Sequence, residues 1–241
     1  MLPLAPDEVH VWTASRDAPD DAVGAMRGLL DDDERRRADR FASAEDRRRF
    51  AVGRGLLRTI LGRYLDRAPG SLRFVANAHG KPGLDPGSGV DPTLRFNLAH
   101  SGSLVVYALA RGRELGVDIE WVRPEFGGEA IAGRFFAPGE VAALRALPPE
   151  ARALAFFHGW SRKEAYIKAL GQGLALPLDG FEVALAPDRP AALLATPHAP
   201  AEAARWSLVA LPTEPGYVAA ACVEGHGWSL KLGRWDEVPA P

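Results

Sequence analysis

Asp118 and Glu120 stand two residues apart in the otherwise apolar stretch Gly116-Val117-Asp118-Ile119-Glu120-Trp121. In a β-strand successive side chains alternate faces, so Leu115, Val117, Ile119 and Trp121 point one way and the two carboxylates the other. Such neighbours repel, and burying them requires a cation or a hydrogen-bond network. A hard divalent metal suits them, because Mg²⁺ takes oxygen ligands, keeps several waters and often bridges carboxylates to a phosphate. By itself the pattern more often marks a solvated strand face, since exposed acids are common. A third carboxylate comes from Trp160-Ser161-Arg162-Lys163-Glu164-Ala165-Tyr166-Ile167-Lys168, where Trp160, Glu164 and Lys168 are four apart and share one helical face with Ile167. As a surface pair, Glu164 and Lys168 would contribute about 0.3–0.5 kcal/mol. Beside Trp160 and Ile167 they are expected to be partly buried, where an acid and a lysine need further partners. If Glu164 meets Asp118 and Glu120, three carboxylates converge near one lysine, the outline of a magnesium and phosphate site.

Groups that could hold an anion lie upstream. Eight arginines against three acids fall between Arg35 and Arg54, the densest positive charge in the chain. This is either a solvated helix face or a patch for a phosphorylated ligand. Lys81 tips the tight loop His79-Gly80-Lys81-Pro82-Gly83, where most lysines are merely solvated. His100 and Ser101 sit where Ala99-His100-Ser101-Gly102 turns the alternating strand Leu94 to Leu98 into the apolar run Leu104 to Ala110. A histidine beside a turn is commonly a hydrogen-bonded structural residue and gains weight only from its neighbours.

The elements that must position these residues follow from periodicity and punctuation. Ser43, followed three residues later by Asp46, predicts the start of a long amphipathic helix to about Leu65, with Phe50, Leu57, Leu61 and Tyr64 on one face. A short turn from Arg111 to Glu114 leads into the carboxylate strand, so three successive strands are expected to form a meander. The segments Glu8 to Thr13 and Asp20 to Leu30 read as a strand and a helix without chemistry. Arg123 to Gly133 has the glycines and proline of a link, which places a boundary near residue 121 and two halves at 1–121 and 122–241. Beyond it a short helix ends near Leu147, and Pro148-Pro149-Glu150 opens a longer one to Leu170, closed by Gly171 and Gly173. Phe181 to Leu185, Trp206 to Leu211, Tyr217 to Val223 and Trp228 to Trp235 read as strands.

Composition limits the function classes. With 241 residues, 47% hydrophobic, the chain has ample material for a core. A formal net charge of −2 gives no global reason to bind nucleic acid or a membrane surface. The single cysteine, Cys222, has no internal disulfide partner and lies in an apolar run. No apolar run approaches the roughly 18 residues of a membrane span, and the N-terminus lacks the pattern of a secretory signal, so a cytoplasmic protein is expected.

Asn97-Leu98-Ala99-His100-Ser101-Gly102, Gly116-Val117-Asp118-Ile119-Glu120 and the Trp160 to Lys168 motif, in this order and spacing, resemble the surfactin-type 4′-phosphopantetheinyl transferases. The likeness extends to Gly80-Lys81-Pro82 and to Gly173-Leu174-Ala175-Leu176-Pro177-Leu178, covering about residues 35 to 185. It implies an α+β fold, a pseudo-dimer of two similar α/β halves with the active site between them. The implied reaction moves the phosphopantetheine arm of coenzyme A onto a serine of an apo acyl or peptidyl carrier protein and releases adenosine 3′,5′-bisphosphate. The resemblance makes Asp118, Glu120 and Glu164 the Mg²⁺ ligands. Glu164 is also implied as general base, directly or through water, and Lys168 as the lysine on the phosphates. Coenzyme A contacts are implied at Lys81, His100 and Ser101, with His100 on the 3′-phosphate, and more loosely at Arg37 and Arg49. Carrier contacts are expected in the second half, around Phe135 to Glu140.

Two positions depart from the family pattern. Ala99 stands where serine is frequent, removing a hydroxyl near the 3′-phosphate. Ile119 supplies no third metal ligand from its strand, so water or Glu164 must complete the shell. Two rival readings use the same residues: a magnesium-dependent phosphohydrolase, and a non-catalytic coenzyme A or carrier-binding module. A site built from both halves of one chain makes a monomer sufficient.

Overall fold

The computed structural model describes residues 1–126, 128–173, 176–196 and 199–235; Gly127 of the expected link and Leu174 and Ala175 of the Gly173 to Leu178 motif lie outside them. The chain runs through β1 (Glu8–Ser15), α1 (Asp20–Gly28), α2 (Asp32–Asp39), α3 (Ala44–Leu65), β2 (Phe74–Ala76), β3 (Pro82–Leu84), β4 (Leu94–Ser101) and β5 (Leu104–Arg111). It continues through β6 (Leu115–Trp121), α4 (Glu129–Phe135), α5 (Pro138–Ala146), α6 (Pro149–Leu170), β7 (Glu182–Val183), β8 (Leu193–Ala195), α7 (Pro200–Arg205), β9 (Trp206–Leu211), β10 (Tyr217–Glu224) and β11 (Ser229–Arg234).

Two sheets form the centre, ordered β11-β1-β5-β4 and β6-β10-β9, and two small hairpins, β2-β3 and β7-β8, flank them. Apolar residues of β1, β5, β6 and β10, among them Val11, Val106, Val117 and Ala221, make one core between the sheets. The opposite face of the first sheet packs on α3 through Leu57, Ile60, Leu61 and Tyr107. The opposite face of the second packs on α6 through Ala165, Ile167, Ala220 and Cys222. The layers are thus helix, sheet, sheet, helix, which is why β5 is buried along nearly its whole length. The helices are alike, 22 residues each, and the strand order β1-β5-β4 is repeated as β6-β10-β9.

The ends of the long helices follow local chemistry. Ser43 accepts a hydrogen bond from the Asp46 amide at 3.3 Å and starts α3 where the sequence predicts. A proline at the first position opens α6, and Gly171, left-handed at φ 69°, ends it. The arginine-rich stretch is shared between two helices. Asp31 and Glu34 cap a separate α2, and buried Arg58 of α3 holds both carboxylates at 2.8 and 2.7 Å.

The expected meander ends at β5. β6 leaves the sheet of its predecessors and pairs antiparallel with β10, Asp118 opposite Ala220, while β11 crosses back to pair in parallel with β1. The physical reason is the two-sided demand of β6: Leu115, Val117 and Ile119 enter the core between the sheets, and Gly116 and Asp118 face α6. Between β4 and β6 side chains replace a backbone ladder. The Val117 amide donates to Asn97 Oδ1 at 2.9 Å and the Trp121 amide to Ser101 Oγ at 3.0 Å.

Candidate functional site

The site forms where β6, α6 and the β4-β5 turn converge. Gly116 permits the approach of strand to helix: a Cβ there would collide with the Ala165 carbonyl oxygen and the Ala169 amide of α6. Four residues apart on α6, Glu164 and Lys168 then stand over the carboxylate face of β6. Lys168 Nζ donates to Asp118 Oδ1 at 2.6 Å. Glu120 Oε2 accepts from Ser101 Oγ at 3.1 Å, which ties the first sheet's turn to the second sheet's acid.

Asp118 is 4% exposed, and its second oxygen, Oδ2, is buried without a hydrogen-bond partner among the described residues. Burial pushes its pKa up to about 7; Lys168 opposes the rise, and the charges of Glu120 and Glu164 add to it. Glu120 is raised as well, chiefly by burial, against the Ser101 hydrogen bond and Lys168. Three acids sharing one lysine in a buried corner call for a further cation. Among the described residues no group of three or more His, Cys, Asp or Glu side chains is placed to hold a metal ion by itself. A magnesium ion does not need one, because it keeps several waters and takes one or two carboxylates with substrate phosphates. The orphaned Asp118 Oδ2 and the neighbouring acids fit such an open site.

Positive charge gathers on the other side of the turn. His100 lies at the surface with its ring crowded by protein atoms; that crowding, followed by the charges of Arg16 and Lys168 and then Arg37, holds its pKa down at about 4. Arg37 stacks over Phe50 at 5.5 Å, and no carboxylate pairs with it among the described residues. Most of its arginine neighbours are committed elsewhere: Arg35 to Asp32, Arg36 to Asp33, Arg48 to Asp20 and Arg54 to Glu34.

Seven of the nine residues singled out from the sequence gather here: Arg37, His100, Ser101, Asp118, Glu120, Glu164 and Lys168. Arg49 and Lys81 are engaged with protein partners. Arg49 is clamped by Asp17 at 2.7 Å and by Glu45 at 2.6 Å. Lys81 Nζ sits at the far end of β6 and donates to Glu114 Oε2, Leu115 O and Ala169 O at 3.1, 3.1 and 3.2 Å, which uses all three of its hydrogens.

Sequence reasoning missed Arg16, just beyond β1, and Tyr217, at the start of β10. Tyr217 Oη accepts from the Ser103 amide at 3.3 Å and lies 3.2 Å from Ser103 Oγ. It presses on Gly102, whose φ of 53° and lack of a Cβ the contact requires. Gly102 beside His100 was the only local signal, and it does not disclose a partner 115 residues away.

The family model for the 4′-phosphopantetheinyl transferase superfamily matches residues 114–222, and that for the 4′-phosphopantetheinyl transferase N-terminal region matches residues 12–111. The chain is 42% identical over 234 residues to the 4′-phosphopantetheinyl transferase HetI of Nostoc, spanning 97% of this chain and 95% of that protein. It is 32% identical to the transferase Sfp of Bacillus subtilis over 195 residues, 80% of this chain and 82% of that one. Against the transferase psf-1 of Bacillus pumilus the identity is 35% over 201 residues, 83% of this chain and 81% of that one.

Proposed function

The chain belongs to the 4′-phosphopantetheinyl transferase family, and from that premise we propose that it transfers 4′-phosphopantetheine from coenzyme A to a serine of an apo acyl or peptidyl carrier protein. The observation that carries this reading is the buried corner where Asp118 Oδ2 has no protein partner while Lys168 holds Oδ1 at 2.6 Å and Glu164 shares the same helical face.

In the proposed reaction the carrier serine Oγ attacks the phosphorus that bears the pantetheine arm. The bond from that phosphorus to the oxygen of the adenosine-side phosphate breaks, and adenosine 3′,5′-bisphosphate leaves. Glu164 takes the serine proton, directly or through one water, because it is the half-buried carboxylate with no hydrogen bond among the described residues. Lys168 spends one of its three hydrogens on Asp118 and keeps others for an oxygen of the leaving phosphate. Asp118, Glu120 and Glu164 would hold Mg²⁺, whose charge would offset that of the pyrophosphate. Ser101 keeps Glu120 turned toward this corner. His100 and Arg37 receive the nucleotide's phosphate from the other side of the turn. A single chain supplies the whole constellation, so a monomer suffices for this reaction.

The test is intact mass spectrometry of an apo carrier protein incubated with the chain, coenzyme A and Mg²⁺, beside an EDTA control. The expected result is a gain of one phosphopantetheine that EDTA abolishes. Coenzyme A cleavage without a carrier would instead indicate a phosphohydrolase, and binding without turnover a binding module.

A further inference from the structure

Arg16 immediately follows β1, and its backbone amide donates to the Ser103 carbonyl at 2.6 Å. Its side chain turns inward and is 9% exposed, the stem passing 3.4 Å from where a Cβ on Gly53 of α3 would stand. Nη2 donates to the Gly102 carbonyl oxygen at 2.6 Å, which fixes the guanidinium beside the turn that carries His100 and Ser101. Nε is buried without a partner, and Nη1 has none among the described residues.

Among the described residues no carboxylate forms an ion pair with Arg16, although the charges of Asp17 and Asp46 act on it. Asp17, the adjacent acid, is occupied by Arg49 in a two-point contact at 2.7 and 3.2 Å. Burial and the neighbouring charge of Arg49 both disfavour the cation here and push its pKa down. A nearly buried guanidinium anchored on one edge and left without an anion is a costly arrangement in a folded chain, and its natural complement is an external anion. The charges of Arg16 and Arg37 both act on the His100 ring, which stands on the turn that Arg16 holds through Gly102.

We propose that Arg16 is a phosphate-binding residue that selects the phosphate monoester on the nucleotide half of coenzyme A. This rests on the transferase reading above. Coenzyme A carries a pyrophosphate and one separate phosphate monoester. The pyrophosphate must lie at Asp118 and Glu164, where its bond is broken. The monoester, bearing nearly two negative charges, is left for a second cationic subsite. Arg16 offers it a hydrogen-bond donor already oriented by Gly102.

The experiment compares coenzyme A with 3′-dephospho-coenzyme A as donors in the carrier-loading assay, for the unmodified chain, Arg16→Gln and Arg16→Lys. One charge-assisted hydrogen bond to phosphate predicts a rise in KM for coenzyme A of about 10- to 100-fold in Arg16→Gln at nearly constant kcat. With the dephosphorylated donor the same variant should change by less than about twofold, and Arg16→Lys should recover part of the loss. An equal loss on both donors would make Arg16 a structural residue, and no loss on either would make it irrelevant; both overturn the proposal. If Arg16→Gln unfolds, adenosine 3′,5′-bisphosphate should inhibit the unmodified chain at least tenfold better than adenosine 5′-phosphate, with the gap narrowed in Arg16→Lys. Equal inhibition also overturns it. Failure of the unmodified chain to load a carrier from either donor would strike the transferase reading instead.

Discussion

Lys168 Nζ lies 2.6 Å from Asp118 Oδ1, an ion pair that joins α6 to β6 across 50 residues of sequence. The carboxylate is 6% exposed in its side chain and the lysine 29%. Removing the lysine leaves Asp118 buried beside two other acids. Lys168→Ala should therefore lose stability by about 1–3 kcal/mol, between the values for an exposed and a fully buried pair because the lysine is partly solvated. Urea denaturation reads this directly, and carrier loading should fall at least a hundredfold. Unchanged loading would remove Lys168 from the reaction.

Gly116→Ala tests the close approach that builds the corner. The added methyl meets the Ala165 carbonyl oxygen and the Ala169 amide, both backbone, so α6 must shift as a body. We expect a stability loss of at least about 1–3 kcal/mol, with activity falling further than stability because Glu164 and Lys168 ride on the displaced helix. Alanine at this position with full loading would mean that strand and helix are not so closely apposed.

Tyr217→Phe removes the hydroxyl that β10 places on Ser103. Its loss should cost about 1 kcal/mol in stability. The measurable consequence is a raised KM for coenzyme A with kcat nearly kept, since the turn carrying His100 loosens while Asp118 and Glu164 stay in place.

Lys81→Met distinguishes a tether from a coenzyme contact. All three hydrogens of the ammonium are used within the protein, and burial already lowers its pKa. The expected effect is a lower melting temperature with little change in KM for coenzyme A. A rise in KM without loss of stability would show that Lys81 leaves these partners for the substrate.

His158 gives a pH signature away from the carboxylates. Burial, and secondarily the charge of Arg162, hold its pKa at about 4 against an ordinary 6.5. As pH falls, the unfolded chain binds a proton near 6.5 while the native chain resists until about 4. The contribution is thus complete above the unfolded value and is lost as pH falls between the two. Melting temperature should decline from about pH 7 to about pH 4.5, and His158→Gln should show a smaller decline. Parallel curves would remove His158 as a source.

The features legible from the residues alone are those whose causes are local. A serine cap and a left-handed glycine set the ends of the two long helices, and strand alternation put Asp118 and Glu120 on one face. Helical spacing aligned Glu164 with Lys168. The motif order sufficed to indicate the family. What depends on partners distant in the chain emerged only on folding. Charge carries no label in a sequence for the group that will neutralise it. Thus Arg49 is held by Asp17 and Lys81 by Glu114, while Arg16, silent in the sequence, reaches Gly102 across 86 residues and forms no ion pair among the described residues. The meander failed for a similar reason: alternation shows that β6 has two faces, but not that one must meet α6 through Gly116 and the other a second sheet. Only packing, which satisfies every face at once, could draw β6 away from β5 and bring the acids of one sheet to the turn of the other.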